Sequence, residues 1–171
     1  QVRALDLVPV DDDGPVPAHA AGQLLTLRLQ IPDPATGTPE PVIRCYTISR
    51  GPGRAAGGRG YRVSVKRLPA PPDVPEAPPG LASTHIHDRL SPGDVIEVGA
   101  PQGRFTLNPS EDAPVVLIGG GIGVTPMLAM LEAILDTNPD REVWLIHAAR
   151  TPADFVRRRE LRSLDERHPN L

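Results

Sequence analysis

The run APVVLIGGGIGVTPMLAML at residues 113–131 constrains this chain most, because Gly119, Gly120, Gly121, Gly123 and Pro126 interrupt its most hydrophobic stretch. A membrane-spanning helix needs about twenty unbroken apolar residues with basic residues on one flank. Here Thr125 and Pro126 fall in the middle, and Glu111, Asp112 and Glu132 lie close to the run. A tight strand-to-helix turn accounts for each interruption. Glycine lets backbone N–H groups approach a ligand with no Cβ in the way. Thr125 suits an N-cap and Pro126 the first helical position. The helix N-terminus then offers unpaired donors and a partial positive charge, which suits a phosphate. No Lys-Ser or Lys-Thr follows the glycines, so the turn is not a Walker A loop. Pro126 replaces the third glycine of the usual dinucleotide fingerprint, and the next strand ends IHAAR without an acid. Taken alone, the turn is equally a phosphate cradle or a connection that binds nothing.

The surrounding pattern places this turn at a junction. Strand-like alternation recurs in VRALDLV, QLLTLRLQI, VIRCYTIS, YRVSVKRL and DVIEVG, with turn signals such as DDDGP and SPGD between them. That spacing predicts an antiparallel β-barrel or sandwich over residues 1–109. Two connections, residues 50–60 and 68–80, are expected to be loose, the second as a proline-dense extended spacer. From residue 110 the period changes. A short apolar strand at 115–118, helical spacing through Met127, Met130, Leu131, Ile134 and Leu135, and a second buried-type strand at 142–149 predict a parallel α/β unit. A further helix is expected to open at Thr151, with Pro152 at its first position and Asp154 completing a capping box. The fold class is thus an antiparallel β-barrel followed by the first part of a parallel α/β domain at residues 110–171. The net charge of −3 gives no electrostatic reason to expect nucleic acid, and the single cysteine, Cys45, rules out an internal disulfide framework.

Five motifs in order give the chain a family resemblance: RCYTIS at 44–49, YRVSVKR at 61–67, GLASTHIHDRL at 80–90, GAPQGRF at 99–105 and GGGIGVTPM at 119–127. Their order and spacing resemble the ferredoxin–NADP+ reductase family, most of all the reductase modules of flavohaemoglobins and multi-component oxygenases. The resemblance implies a flavin-binding barrel and a pyridine-nucleotide domain that pass electrons from NADH or NADPH through FAD to a redox partner, such as a 2Fe-2S or haem domain. It implies that Arg44 pairs with flavin phosphate, that Tyr46 lies against the isoalloxazine ring and that Thr47 hydrogen-bonds near its N5. Lys66 stands in the second flavin strand, as a cofactor contact or as a solvated edge lysine. Gly80 and Ser83 match the Gly-x-x-Ser turn at the FAD pyrophosphate. Gly121, Gly123, Thr125 and Pro126 match the Gly-x-Gly-x-x-Pro loop that receives the NAD(P) pyrophosphate. Arg150, at the end of the second parallel strand, is placed to favour a 2′-phosphate and hence NADPH.

No catalytic acid or base is expected for hydride transfer between nicotinamide and flavin. His85 and His87 are spaced like metal ligands but lack further ligands, so no metal is expected. His147 is expected to close a buried strand, Cys45 to be a buried inert thiol, and Arg157–Arg159 to form a solvated helix face. The family pattern runs on past Leu171, so the chain is expected to be a fragment of a larger cytoplasmic reductase with no membrane or nucleic-acid partner. The alternative is a non-catalytic flavin-barrel module for sensing or docking.

Overall fold

A computed structural model describes residues 1–11 and 15–171. The strands of the first half form where apolar residues alternate. In β1 (Val2–Leu7), β2 (Leu24–Pro32) and β4 (Tyr61–Lys66), one face points inward and the other meets solvent, as a period of two requires. Leu25, Leu27, Leu29 and Ile31 of β2 meet Ile48, Tyr61, Val63 and Val65 in one core. β2 pairs antiparallel with β3 (Pro39–Thr47) along its whole length and with the short β5 (Glu97–Val98); β1 pairs antiparallel with β4. The isolated Ile48–Val63 bridge links the two antiparallel sheets. Helix α1 (Leu81–Asp88) adds Ala82 and Ile86 to the same core. Its C-terminal carbonyls are held by Arg3, which donates to Ile86 O at 2.6 Å and His87 O at 3.2 Å, and to Leu90 O just beyond the helix at 2.8 Å.

The second half is a parallel pair, β6 (Val115–Gly120) beside β7 (Val143–Ala148), joined through α2 (Thr125–Thr137). Leu117 and Val143 pack on Ala129, Met130, Leu131 and Ile134 of α2, while Leu164 of α3 (Arg158–Asp165) closes the cluster. The helix is buried around most of its circumference, including Glu132. Each fully buried leucine contributes about 1.5–3 kcal/mol. The opposite face of the parallel pair exposes Val116, Ile118, Trp144 and Ile146. At the junction of the halves, the buried Arg141 donates to Asn108 O at 3.1 Å and to Ala113 O at 2.8 Å.

Several local expectations change. Helix α2 begins at Thr125 itself, after a 3-10 turn over Gly121–Val124, so Thr125 is not the N-cap. Its hydroxyl donates backward to Ile122 O at 3.0 Å, and Pro126 becomes the second helical residue. The segment opening at Thr151 makes only a 3-10 turn, Pro152–Asp154: Phe155 is extended, and α3 starts only after Arg157, whose φ of 56° is left-handed. The connection at residues 50–60 is pinned: Arg54 pairs with Asp136 of α2, and the Gly51 N–H donates to Glu132. The proline-rich connection at 68–80 folds back on itself, with the Gly80 N–H bonded to Leu68 O at 3.0 Å, so it is a closed loop rather than an extended spacer. Among the described residues, no helix is long and apolar enough to cross a membrane.

Candidate functional site

The C-terminal part of β3 brings Arg44, Cys45 and Tyr46 to a cleft of about 400 Å³. Lys66 at the end of β4 and the Gly80–Ser83 start of α1 form further walls. Ile122, from the glycine-rich turn, completes the lining. Two motifs separated by more than seventy positions in the chain therefore meet at one cleft. Arg44 is exposed, and its guanidinium donates to the adjacent Ile43 carbonyl at 2.7 Å, leaving donors of its fork directed outward. Tyr46 is half-buried; burial pushes its phenol above its ordinary value, with Arg44 opposing, so it is a neutral donor near pH 7. Thr47 ends the strand half-buried but is outside the lining of this cleft.

Lys66 is neither solvated nor free. Its ammonium lies 2.8 Å from Asp154 Oδ1, with side chains only 17% and 18% exposed. Asp154 also accepts from the Thr151 hydroxyl at 3.1 Å, and the Lys66 and Thr151 bonds hold its carboxyl below the usual range. Ser83 is buried; its hydroxyl donates to Gly80 O at 2.9 Å and accepts the Leu68 N–H at 3.2 Å. That side chain clasps the ends of the 68–80 loop, and Gly80 stands at the N-cap of α1.

The glycine turn divides its labour. A Cβ at Gly119 would lie 2.6 Å from Val124 Cα, so this glycine permits the strand to pack against the turn. A Cβ at Gly120, Gly121 or Gly123 would meet open space. Gly121 has φ +51°, and its carbonyl lies 3.1 Å from His147 Nε2. The turn thus presents bare backbone beside the N-terminus of α2, the arrangement that accepts a phosphate. Thr125 and Pro126 are buried beneath it. Arg150 is exposed just past β7.

Other residues depart from the sequence reading. Cys45 is exposed rather than buried and lines the same cleft as Arg44 and Tyr46, with Sγ 3.6 Å from Thr26 Oγ1. Of the face expected at 157–159, Arg158 and Arg159 are exposed, while Arg157 is half-buried in a cluster with Glu132 and Glu160. His147 is half-buried, stacks edge-on against Phe155 and bonds to the glycine turn. His87 bonds to Val65 O at 2.9 Å, and no group of three or more His, Cys, Asp or Glu suited to a metal occurs among the described residues. Ile122, Asp154 and Glu132 were not legible as site residues. Their partners lie 25 to 88 positions away, and only the Thr151–Asp154 spacing carried a local signal.

The family model for an oxidoreductase NAD-binding domain matches residues 117–171. A flavohemoprotein of Rhodopirellula baltica is 41% identical over 94% of this chain and 37% of its own length. The flavohem-like FAD/NAD binding domain of nitric oxide dioxygenase from Vibrio cholerae superposes with a TM-score of 0.82 at 31% identity, covering 98% of this chain and 65% of that one. The chain is a module of the ferredoxin–NADP+ reductase family. The cytochrome b5 reductase domain of Ulva prolifera nitrate reductase shares the fold at TM-score 0.78 and 30% identity, over 99% of this chain and 65% of that one. Antiparallel sheets followed by a parallel pair are therefore the family's architecture in this chain too. The chain spans a little over a third of the length of the curated flavohemoproteins it matches.

Proposed function

We propose that the chain is the electron-entry module of a flavin-dependent NAD(P)H oxidoreductase, passing electrons through FAD to a redox partner such as a haem or 2Fe-2S domain. The observation that carries this reading is Ile122: the glycine turn supplies a wall of the same cleft that Arg44 and Tyr46 line. The residues fit a flavin nucleotide. An exposed guanidinium fork suits a phosphate, a half-buried tyrosine suits an aromatic ring, and the bare turn next door suits a second pyrophosphate.

In this reading residues 1–109 hold the flavin and residues 110–171 begin the nucleotide domain. FAD, when bound, supplies hydride acceptance and the release of single electrons. Arg44 neutralises its phosphates, Tyr46 supports the ring and Thr47 serves the ring edge from the strand end. Gly80 and Ser83 shape the loop that meets the flavin pyrophosphate, chiefly through backbone because the Ser83 hydroxyl is already engaged. Lys66 acts through Asp154, fixing the end of β4 against the turn after β7. Gly121 and Gly123 admit the NAD(P)H pyrophosphate, with Thr125 and Pro126 setting the start of α2. Arg150 meets a 2′-phosphate, which favours NADPH, since Lys66 offsets the charge of nearby Asp154. The setting is the cytoplasm, where NADH and NADPH are available. Purified full-length protein should be yellow and should bleach on anaerobic addition of NADPH or NADH. A colourless protein, or a yellow one that neither nucleotide bleaches, refutes the reading.

A further inference from the structure

A partly buried ionic cluster centred on Glu132 stands outside the cleft. Glu132 of α2 is 1% exposed. Its Oε2 accepts the Gly51 N–H at 2.6 Å; its Oε1 lies 3.2 Å from Arg50 Nη1 and also pairs with Arg157. Arg157 binds Glu160 through Nε at 2.7 Å and donates from Nη1 to Ser49 O at 3.3 Å, while Arg50 reaches Glu160 at 2.8 Å. Two carboxylates and two guanidiniums close a ring of zero net charge. The contact is close in the backbone as well: a Cβ on Gly51 would lie 3.0 Å from Glu132 Cβ. Arg157 holds a left-handed φ of 56° to reach its partners.

Stability is a poor reason for such a cluster, because the desolvation of buried charges offsets much of their attraction and apolar packing often serves as well. Its position offers a better one. Ser49 follows the end of β3 by two residues, and β3 carries Arg44 and Tyr46. Ser49 is itself fixed to β4, its N–H bonded to Arg62 O at 2.7 Å and its Oγ 2.8 Å from Ser64 Oγ. On the other side, Glu132 lies about two turns into the helix that begins at the glycine turn. The cluster therefore spans from the end of the flavin strand to the helix bearing the nucleotide turn. We propose that Glu132 is a positioning residue: by clamping residues 49–51 onto α2 through Arg50 and Arg157, it sets how far the nucleotide turn stands from the flavin strand. This inference rests on the reading above, in which a nucleotide at Gly121 reduces a flavin at Tyr46.

The test is anaerobic stopped-flow reduction of the flavin-loaded protein, unsubstituted and as Glu132→Gln, over a range of NADPH and NADH concentrations. Glutamine keeps an acceptor for the Gly51 N–H but leaves two half-buried guanidiniums with one carboxylate. The expected result is unchanged flavin content, an apparent nucleotide Kd within about threefold, and a limiting reduction rate lowered about tenfold or more, because small misplacements of reacting groups are costly. The long-wavelength absorbance of a stacked nicotinamide–flavin pair should fall in parallel, which a loss of stability alone does not produce. If the unsubstituted protein binds no flavin or is not reduced, the functional reading falls and the proposal with it. If it is reduced normally and Glu132→Gln matches it in rate and absorbance, only the proposal is overturned. Should Glu132→Gln lose flavin or precipitate, Arg157→Lys, which keeps the charge but not the fork, is judged by the same criteria. Loss of flavin in both variants assigns the cluster to folding and overturns the proposal.

Discussion

The two walls of the cleft are built on different principles. The β3 wall offers side chains, the Arg44 fork and the half-buried Tyr46 ring, held by a strand paired along its full length with β2. The glycine wall offers no side chain at Gly120, Gly121 or Gly123, only backbone with open space before it. Side-chain recognition is divisible, so that removing one group weakens binding by that group's share. Backbone recognition is lost all at once when an atom fills the space. The walls should therefore fail differently under mutation.

The largest effect is expected at Gly121. Gly121→Val places a branched side chain where the pyrophosphate must approach and forces it into a φ of +51°. Flavin content should stay normal while the rate of flavin reduction by NAD(P)H falls about a hundredfold or more. A normal rate in rapid-mixing experiments would place the cradle elsewhere.

Within the same turn, Gly119→Ala and Gly120→Ala separate packing from access. The first sets a Cβ 2.6 Å from the backbone of Val124 and should cost about 1–3 kcal/mol in urea unfolding. The second meets nothing within 4 Å, and its effect on stability should stay within about 0.5 kcal/mol. Equal losses at the two positions would contradict the division of roles.

On the other wall, Tyr46→Ala should loosen flavin by about 1 kcal/mol beyond the lost area, read as a raised flavin Kd by fluorescence titration. Reduction of the flavin that remains bound should stay close to normal. An unchanged Kd breaks the assignment of the ring site.

The smallest effect concerns the clamp behind both walls. Arg157 and Arg50 hold the Glu160 carboxyl down from 4.5 to about 2. A depressed carboxyl contributes stability in full above its unfolded value and loses it as pH falls through the folded one. A shallow loss of stability attributable to Glu160 is therefore expected between about pH 4.5 and 2, and it should vanish in Glu160→Gln. Exposure of this side chain keeps the effect modest.

Local patterns in the chain foretold the parts that depend on local physics. Alternation marked β2 and β4, because each buries one face against a neighbour, and helical spacing marked α2, whose apolar residues fill the second core. The glycine turn was legible for the same reason, since only a sharp strand-to-helix turn tolerates that composition. Helix starts slipped where tertiary contacts took over. The helix expected from Thr151 breaks at the extended Phe155, and α3 begins after Arg157, which pairs with Glu132. Thr125 is drawn into α2 by the 3-10 turn before it. The Lys66–Asp154 and Gly51–Glu132 contacts join residues more than eighty positions apart, and no local pattern announces them.

The central claim is that one cleft, walled by β3 and the glycine turn, brings a nucleotide to a flavin. A crystal structure of the flavin-loaded protein with bound NADP+ or NAD+ tests it most directly. The account predicts the isoalloxazine ring against Tyr46, its phosphates at Arg44, and the nucleotide pyrophosphate over Gly121 and Gly123. A flavin ring away from Tyr46, or a nucleotide bound without touching the 121–125 turn, would contradict it.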